Sequence, residues 1–299
     1  MDVKDLRLVV ALAEHRHFAR AAAASSISQP AFSARIRKLE EELGAPIVER
    51  AQRFEGFTAE GERVLSWARR ILADCDGLIQ DMADARDVLS GKLTLGVVPS
   101  ALPACGWLTG AFAAVHPAVS VTILSRTSIA IQAGLDDYSL EAGVSYLTNE
   151  PLRGVRTVPL FTERYCLVGS PDLLARPAGT GISWAAAAAL PLCLLSDDMQ
   201  NRRIVNAAFA SVQKAPEPHV VTNSFTGILS NVRTGHFATV LPEAQATNHN
   251  LEGLIALPLT TPEITQSVGL IIPDRDPVLP VTKRLIELAE NLQHPMRSV

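Results

Sequence analysis

Ser28-Gln-Pro-Ala-Phe-Ser-Ala-Arg-Ile-Arg-Lys-Leu-Glu-Glu-Glu-Leu-Gly44 is the stretch that decides the fold. Ser28 is a strong helix N-cap, because its side-chain oxygen can accept from a first-turn amide. Pro30 sits in that first turn, where a missing N–H costs nothing. Phe32, Ile36, Leu39 and Leu43 follow at spacings of four, three and four, which gives one apolar stripe. Gly44 stops the helix in the left-handed conformation that suits glycine. Immediately upstream, Ser25-Ser-Ile-Ser28 is a short polar break after the alanine run Ala19 to Ala24 (interrupted by Arg20), and alanine lets helices approach closely. Before that, Leu6, Val9, Val10 and Ala13 repeat at helical spacing. Two helices on a short turn, the second with a polar face, make a helix-turn-helix arrangement.

Downstream, residues 45–58 lose the helical period. Ile47-Val48 and Phe54 to Thr58 are expected to pair as a small hairpin with Arg50 and Arg53 in its loop. Thr58 then caps a long helix. Its Val64, Ala68, Ile71, Cys75, Leu78, Met82, Ala85 and Leu89 alternate four and three apart, a heptad seam over about four heptads. Roughly 45 Å of helix at 1.5 Å per residue is more than the preceding chain is expected to cover. The seam therefore predicts a homodimer, with Ser90-Gly91 ending the rod.

From Lys92 the pattern changes to alternating strands and helices. The strands are Leu93–Val98, Val119–Leu124, Ala142–Tyr146, Tyr165–Gly169, Leu192–Leu195, Val220–Thr222, Ala238–Leu241 and Val268–Ile272. The helices cover 103–115, Ser128–Leu135, Arg202–Val212, Phe225–Thr234 and Val278–Leu292. Such alternation predicts a mainly parallel, two-sided sheet. Two strand–helix series over about 200 residues read as two lobes, with crossovers near Phe161–Tyr165 and Pro262–Ser267. The domains fall at 1–58, 59–90 and 91–299, the last split into one lobe of about 91–161 with 267–299 and another of about 162–266.

The 299 residues carry 27 Lys and Arg against 31 Asp and Glu, a net charge of −4. Residues 1–90 and 91–299 are each at −2, so a polybasic coat is excluded while a local basic patch is not. No apolar run approaches the roughly 18 residues a membrane helix needs. The N-terminus has no apolar leader core, so the expected location is the cytoplasm. Four scattered cysteines, Cys75, Cys105, Cys166 and Cys193, lack any C-x-x-C spacing and read as reduced structural thiols. No hydrolase, zinc-protease, P-loop or dinucleotide motif is present, and the seven histidines are dispersed, so neither an enzyme nor a metal or cofactor is expected.

The run from Asp5-Leu-Arg to Phe18, the Ser28–Gly44 stretch, Pro46-Ile-Val-Glu-Arg50 and Phe57-Thr-Ala-Glu-Gly61 together resemble the LysR-type transcriptional regulators. The resemblance implies an α+β multidomain chain: an N-terminal winged helix-turn-helix, a long linker helix and a C-terminal two-lobed α/β effector domain similar to periplasmic binding proteins. Gln52–Thr58, Pro99–Pro103 and Asn149–Leu152 resemble the subgroup found beside formate dehydrogenase operons. Ala34 departs from the family, where many members carry an arginine, and so does Phe54-Glu55 in the wing.

Double-stranded operator DNA is then the expected partner of Ser28, Gln29, Pro30, Ser33, Arg35, Arg37, Arg50 and Arg53. Gln29 at a helix entrance suits an adenine edge, and the wing arginines suit backbone or minor groove. A small-molecule effector is expected between the lobes, at strand carboxyl ends and helix N-termini. That rule nominates Ser100, Ala101, Leu102, Thr127, Ser128, Gln200, Asn201, Arg202, Thr222, Ser224 and Phe225. Hydroxyls, helix-end amides and the Arg202 guanidinium favour a small anion such as a carboxylate, and the subgroup resemblance implies formate as a candidate. A larger aromatic acid and a cytoplasmic receptor without DNA binding are the alternatives. The family further implies a tetramer and contact with RNA polymerase.

Overall fold

A computed structural model of the protein describes residues 1–50, 54–84, 89–150, 152–175 and 181–292. The chain divides into two compact units, Met1–Gly91 with Asp136–Ser139, and Lys92–Leu135 with Leu140–Val299.

The first unit opens with α1 (Val3–His15), α2 (Phe18–Ala24) and α3 (Gln29–Leu43). Asp2 and Asp5 form a reciprocal capping box at the start of α1, each carboxylate accepting the other's amide at 2.9 Å. Ser26, at a φ of 56°, turns the chain between α2 and α3. The Ser28 hydroxyl accepts from the Ala31 amide at 3.4 Å, and Gly44 closes α3 at a φ of 68°. Phe32, Ile36 and Leu39 bury that helix against Val9, Leu12, Ala21 and Ile47. Phe18 packs edge-on against both Phe32 and Phe54, with ring centroids 6.0 and 6.2 Å apart. β1 (Val48–Arg50) and β2 (Phe54–Phe57) pair antiparallel as the wing. The Thr58 hydroxyl donates to the Pro46 carbonyl at 2.6 Å and accepts the Gly61 amide at 2.9 Å, which starts α4 (Ala59–Asp84).

Three expectations need correction here. Leu43 is exposed rather than part of the α3 core stripe, because the last turn runs past the hydrophobic cluster. Arg50 ends a strand instead of lying in the hairpin loop. The heptad seam is not one uniform surface. Val64 packs on the main cluster, and Ala68 and Ile71 join Leu72 against Leu6 and Val10 of α1, so the first half of the seam is covered by its own unit. Cys75 is half-buried, Leu78 and Met82 are exposed, Ala85 lies outside the described residues, and Leu89 is buried but beyond the helix end.

The second unit is built around two mixed sheets. β3 (Gly91–Val97) leads through a 3₁₀ turn (Pro99–Ala101) into α5 (Leu102–Val115), then β4 (Val119–Ser125), α6 (Ser128–Asp136), β5 (Ala142–Tyr146) and β6 (Val155–Glu163). Across Arg164 follow β7 (Tyr165–Gly169), α7 (Pro171–Leu174), β8 (Ile182–Ser183), α8 (Trp184–Ala187), β9 (Cys193–Leu195), α9 (Gln200–Ser211), β10 (Val220–Thr222), α10 (Phe225–Val232), β11 (Thr239–Pro242), α11 (Glu243–Asn248) and β12 (Ile255–Thr260). β13 (Gln266–Pro273) returns to the first sheet and α12 (Pro280–Asn291) packs behind it.

The first sheet has the order β4-β3-β5-β13-β6 and the second β11-β7-β12-β8, with β9 and β10 pairing in parallel beside it. The expectation of mainly parallel sheets is therefore corrected. β3 and β5 are parallel, but β13 runs antiparallel to both β5 and β6, and β7 antiparallel to β11 and β12. The reason is topological. One strand pair leaves the first lobe and another returns, so β6–β7 and β12–β13 cross side by side in opposite directions. β6 and β12 escaped the sequence reading because Pro159 and Pro258 interrupt them, and proline argues against a strand assignment.

Glycine at two floor positions lets α6 sit low on the first sheet. A Cβ at Gly96 would meet Leu140 at 2.5 Å and Ile131 at 3.0 Å, and one at Gly143 would meet Ile131 at 2.5 Å. That close approach sets the position of the α6 N-terminus.

The fully buried Phe32 anchors the helix-turn-helix core. Phe32→Ala is expected to cost about 3–5 kcal/mol, read as a lowered urea midpoint of the first unit's transition.

Candidate functional site

α3 turns its buried stripe inward and leaves Gln29, Pro30, Ala34 and Arg37 exposed, with Ser33 half-buried beside them. Arg37 makes no ion pair among the described residues. Ser28 is exposed, and its hydroxyl is engaged in the cap. Arg50 stands at the end of β1, and Arg53 lies outside the described residues. Arg35 departs from the expectation of a free contact. Its Nε donates to Asp5 at 2.8 Å and its Nη2 to both carboxylate oxygens of Asp2 at 3.0 and 3.1 Å. Those bonds tie α3 to the capped end of α1, and hydrogen bonding to Asp5 holds the guanidinium pKa above its ordinary value. Glu40 is likewise structural. Its carboxylate accepts the amides of Ile47 and Val48 at 2.9 and 3.2 Å, fastening the wing to the reading helix.

Within the second unit a small cavity opens between the lobes, with about 240 Å³ of empty space including its mouth. Ser100, Thr127, Ser128, Gln200, Asn201 and Phe225 border it, together with Val98, Pro99, Tyr146, Leu195 and Met199. Five nominated residues do not border it. Ala101 and Leu102 belong to the turn and helix behind Ser100. Thr222 ends β10, and Ser224 is spent as the α10 cap, accepting the Gly227 amide at 3.0 Å. Arg202 is turned away. It donates to the Leu195 carbonyl, to Asn206 at 2.7 Å, and faces Asp197 at 3.5 Å.

Tyr146 is the residue the sequence reading missed, although it closes β5 at the carboxyl end where ligands bind in such sheets. Its hydroxyl lies 2.8 Å from Ser100 Oγ and 2.6 Å from Glu163 Oε1, and accepts from Asn201 Nδ2 at 2.9 Å. These groups come from both lobes, and all four residues are buried. Glu163 Oε2 and the Tyr165 hydroxyl have no hydrogen-bond partner of standard geometry. Burial pushes the Glu163 carboxyl up to about 7, against the opposing pull of Tyr146 and Tyr165. An acid inside Leu160-Phe-Thr-Glu163 was the available sequence signal.

Two further contacts cross the cleft. Gln245 of α11 donates to the carbonyls of Pro99 and Ser100 at 2.9 and 3.0 Å. Arg203 Nε donates to Glu150 at 2.6 Å, and Glu150 accepts from Ser128 Oγ at 2.7 Å. The N-terminus of α9 has no side-chain cap, so its first amides are unused by any side chain, and its first two residues, Gln200 and Asn201, border the cavity. The three cysteines of this unit are buried, and burial raises their thiols to about 11 for Cys105, about 12 for Cys166 and about 11 for Cys193. Among the described residues no cluster fits a metal ion, and no helix is long and apolar enough to cross a membrane.

A winged helix-turn-helix followed by a two-lobed α/β unit with a cavity between its lobes defines a DNA-binding regulator with an effector domain. Residues 3–62 match the bacterial regulatory helix-turn-helix protein, lysR family, and residues 86–293 match the LysR substrate binding domain. The DNA-binding transcriptional dual regulator OxyR of Escherichia coli K12 is 30% identical over 308 residues, covering 99% of this chain and 96% of that protein. The chain belongs to the LysR family of transcriptional regulators. A full-length OxyR variant from Pseudomonas aeruginosa shares the fold with a TM-score of 0.78 at 23% identity, covering 100% of this chain and 98% of that one. Full-length CbnR complexed with its target DNA gives 0.71 at 21% identity, covering 97% and 99%.

Glu163 keeps its proton in the native state over a pH range where the unfolded chain has released it. Stability is therefore expected to fall as pH rises from about 4.5 to about 7, by on the order of 3 kcal/mol. Glu163→Gln should flatten that part of the profile in chemical denaturation across pH 4 to 8.

Proposed function

We propose that this regulator reads a specific operator with the exposed N-terminal half of α3 and responds to a small carboxylate held between the lobes of its second unit. Gln29, Ser33 and Arg37 are the base- and phosphate-facing groups, with Ser28 and Pro30 setting the helix entrance and Arg50 and Arg53 gripping the backbone from the wing. Arg35 is left out of this set because Asp2 and Asp5 already hold it.

The observation that carries the effector reading is the convergence of uncapped α9 and of Thr127 and Ser128 at the start of α6 on one small cavity. Helix N-termini favour anions. The cavity as it stands has room for little more than a water-sized group, so formate or acetate fits better than an aromatic acid. Without Arg202, and with the Ser128 hydrogen already given to Glu150, charge is met by helix-end amides and the Ser100 and Thr127 hydroxyls. Some relatives are named hydrogen peroxide-inducible genes activators. If peroxide were sensed through a thiol, a thiolate would be needed, and burial keeps the Cys105, Cys166 and Cys193 thiols protonated, which argues against that route in the second unit.

Trp67, Leu78, Ile79 and Met82 leave an apolar stripe exposed on α4. A second copy pairing there makes the homodimer, and effector-domain contacts make the tetramer. Carboxylate binding shifts lobe closure through the Glu150–Arg203 contact, which alters the DNA geometry offered to RNA polymerase.

In gel-shift titrations across salt concentrations, Gln29→Ala should lose about 1–3 kcal/mol of discrimination between operator and random DNA. Arg37→Ala should weaken both and reduce the salt slope by about one. Arg35→Ala should lower the melting temperature and leave the slope unchanged, and a changed slope would remove it from the structural set.

A thermal-shift series with formate, acetate and benzoate tests the pocket. Ligand at 100 times its Kd adds about 2.7 kcal/mol of stability, so the two smaller acids should raise the melting temperature and benzoate should not. No shift from any carboxylate would sink the effector reading.

A further inference from the structure

The Tyr146 hydroxyl has a single hydrogen and two acceptors beside it, Glu163 Oε1 at 2.6 Å and Ser100 Oγ at 2.8 Å, while Asn201 supplies a donor at 2.9 Å. It serves only one acceptor at a time. When Glu163 is ionised, Tyr146 donates to the carboxylate and accepts from Ser100, so Ser100 turns its lone pairs toward the cavity. When Glu163 is protonated, the carboxyl donates to Tyr146, Tyr146 donates to Ser100, and the Ser100 hydrogen is released into the cavity. We propose that Glu163 is a specificity-determining group acting through Tyr146 and Ser100, and that a carboxylate entering the cavity binds with uptake of one proton at Glu163. The proposal rests on the cavity being the effector site.

No covalent bond changes between heavy atoms. One solvent proton is taken up, and the hydrogens of Tyr146 and Ser100 reorient. The charge logic agrees. An ionised Glu163 would bury its unpartnered Oε2 as part of a charge, whereas the protonated acid leaves only a neutral oxygen unpaired.

The surroundings leave this carboxyl to the two tyrosines. Tyr146 faces it from β5 and Tyr165 from β7. Gln266 lies opposite it on β13, and its side-chain oxygen is taken by Thr148 at 3.1 Å and by Asn149. Arg164, next in sequence, is ion-paired with Glu263 at 2.9 Å. From α9 the adjacent polar group is Asn201, and from the 3₁₀ turn Ser100. A carboxyl pushed up to about 7 holds both states accessible near neutral pH.

Isothermal titration of the full-length protein with formate and acetate, at pH 6 and pH 8 in buffers of different protonation enthalpy, reads the proton count directly. The expected result is uptake of about one proton at pH 8 and affinity about tenfold weaker at pH 8 than at pH 6. Glu163→Gln should abolish both effects, and Tyr146→Phe should bind without proton uptake because the chain of hydroxyls is cut. Binding of either probe with no uptake by the wild-type protein overturns the relay and leaves the cavity as the effector site. Uptake that persists undiminished in Tyr146→Phe overturns the route through that residue. Failure of both probes to bind at either pH overturns the site and the relay together.

Discussion

Two strands pass between the lobes of the second unit in opposite directions, and their pairing is the constraint on which the rest of that unit depends. β6 pairs antiparallel with β13 in one sheet, and β7 pairs antiparallel with β12 in the other. Each lobe is thereby assembled from chain segments far apart in sequence. The crossing also delivers Glu163 to the end of β6, beside the carboxyl end of β5 where Tyr146 stands. A carboxylate on a crossing strand, a phenol on one lobe and an amide on the other share one hydroxyl as their meeting point. The interlobe cavity is a consequence of that arrangement, since its floor and its walls come from different lobes.

The head unit shows a division of labour between paired and free charges. Arg35 and Arg37 are two residues apart on the same helix, yet one is consumed by Asp2 and Asp5 and the other is exposed. Glu40, three residues further on, faces back to hold the wing. These internal ties fix the orientation of the exposed Gln29 and Arg37 relative to the hairpin.

The helix-turn-helix was legible because its signals are local. A cap, a proline, a stripe and a terminal glycine occur within seventeen residues of Ser28–Gly44. Many effector-domain strands were legible for the same reason, as short apolar runs between breakers. What escaped was set by distant partners. Strand direction in the sheets follows from the return crossing, which no local pattern encodes. Arg35 looked free because its partners, Asp2 and Asp5, lie some thirty residues upstream at the capped start of α1. The heptad seam was read as one surface because periodicity registers apolarity and not its recipient, and Ala68 and Ile71 found theirs in α1. Tyr146 was read only as the end of a strand, since only the fold brings Ser100, Glu163 and Asn201 to its oxygen.

The bare backbone at Gly96 and Gly143 bears on how this sensor can diverge. Ile131 of α6 rests on both positions, so any side chain added there lifts the helix and displaces Thr127 and Ser128 with it. Variation in ligand preference is thereby channelled away from the floor of the first lobe. It falls instead on Met199, Gln200 and Phe225 across the cleft, where a change of size remodels the chamber without moving the scaffold.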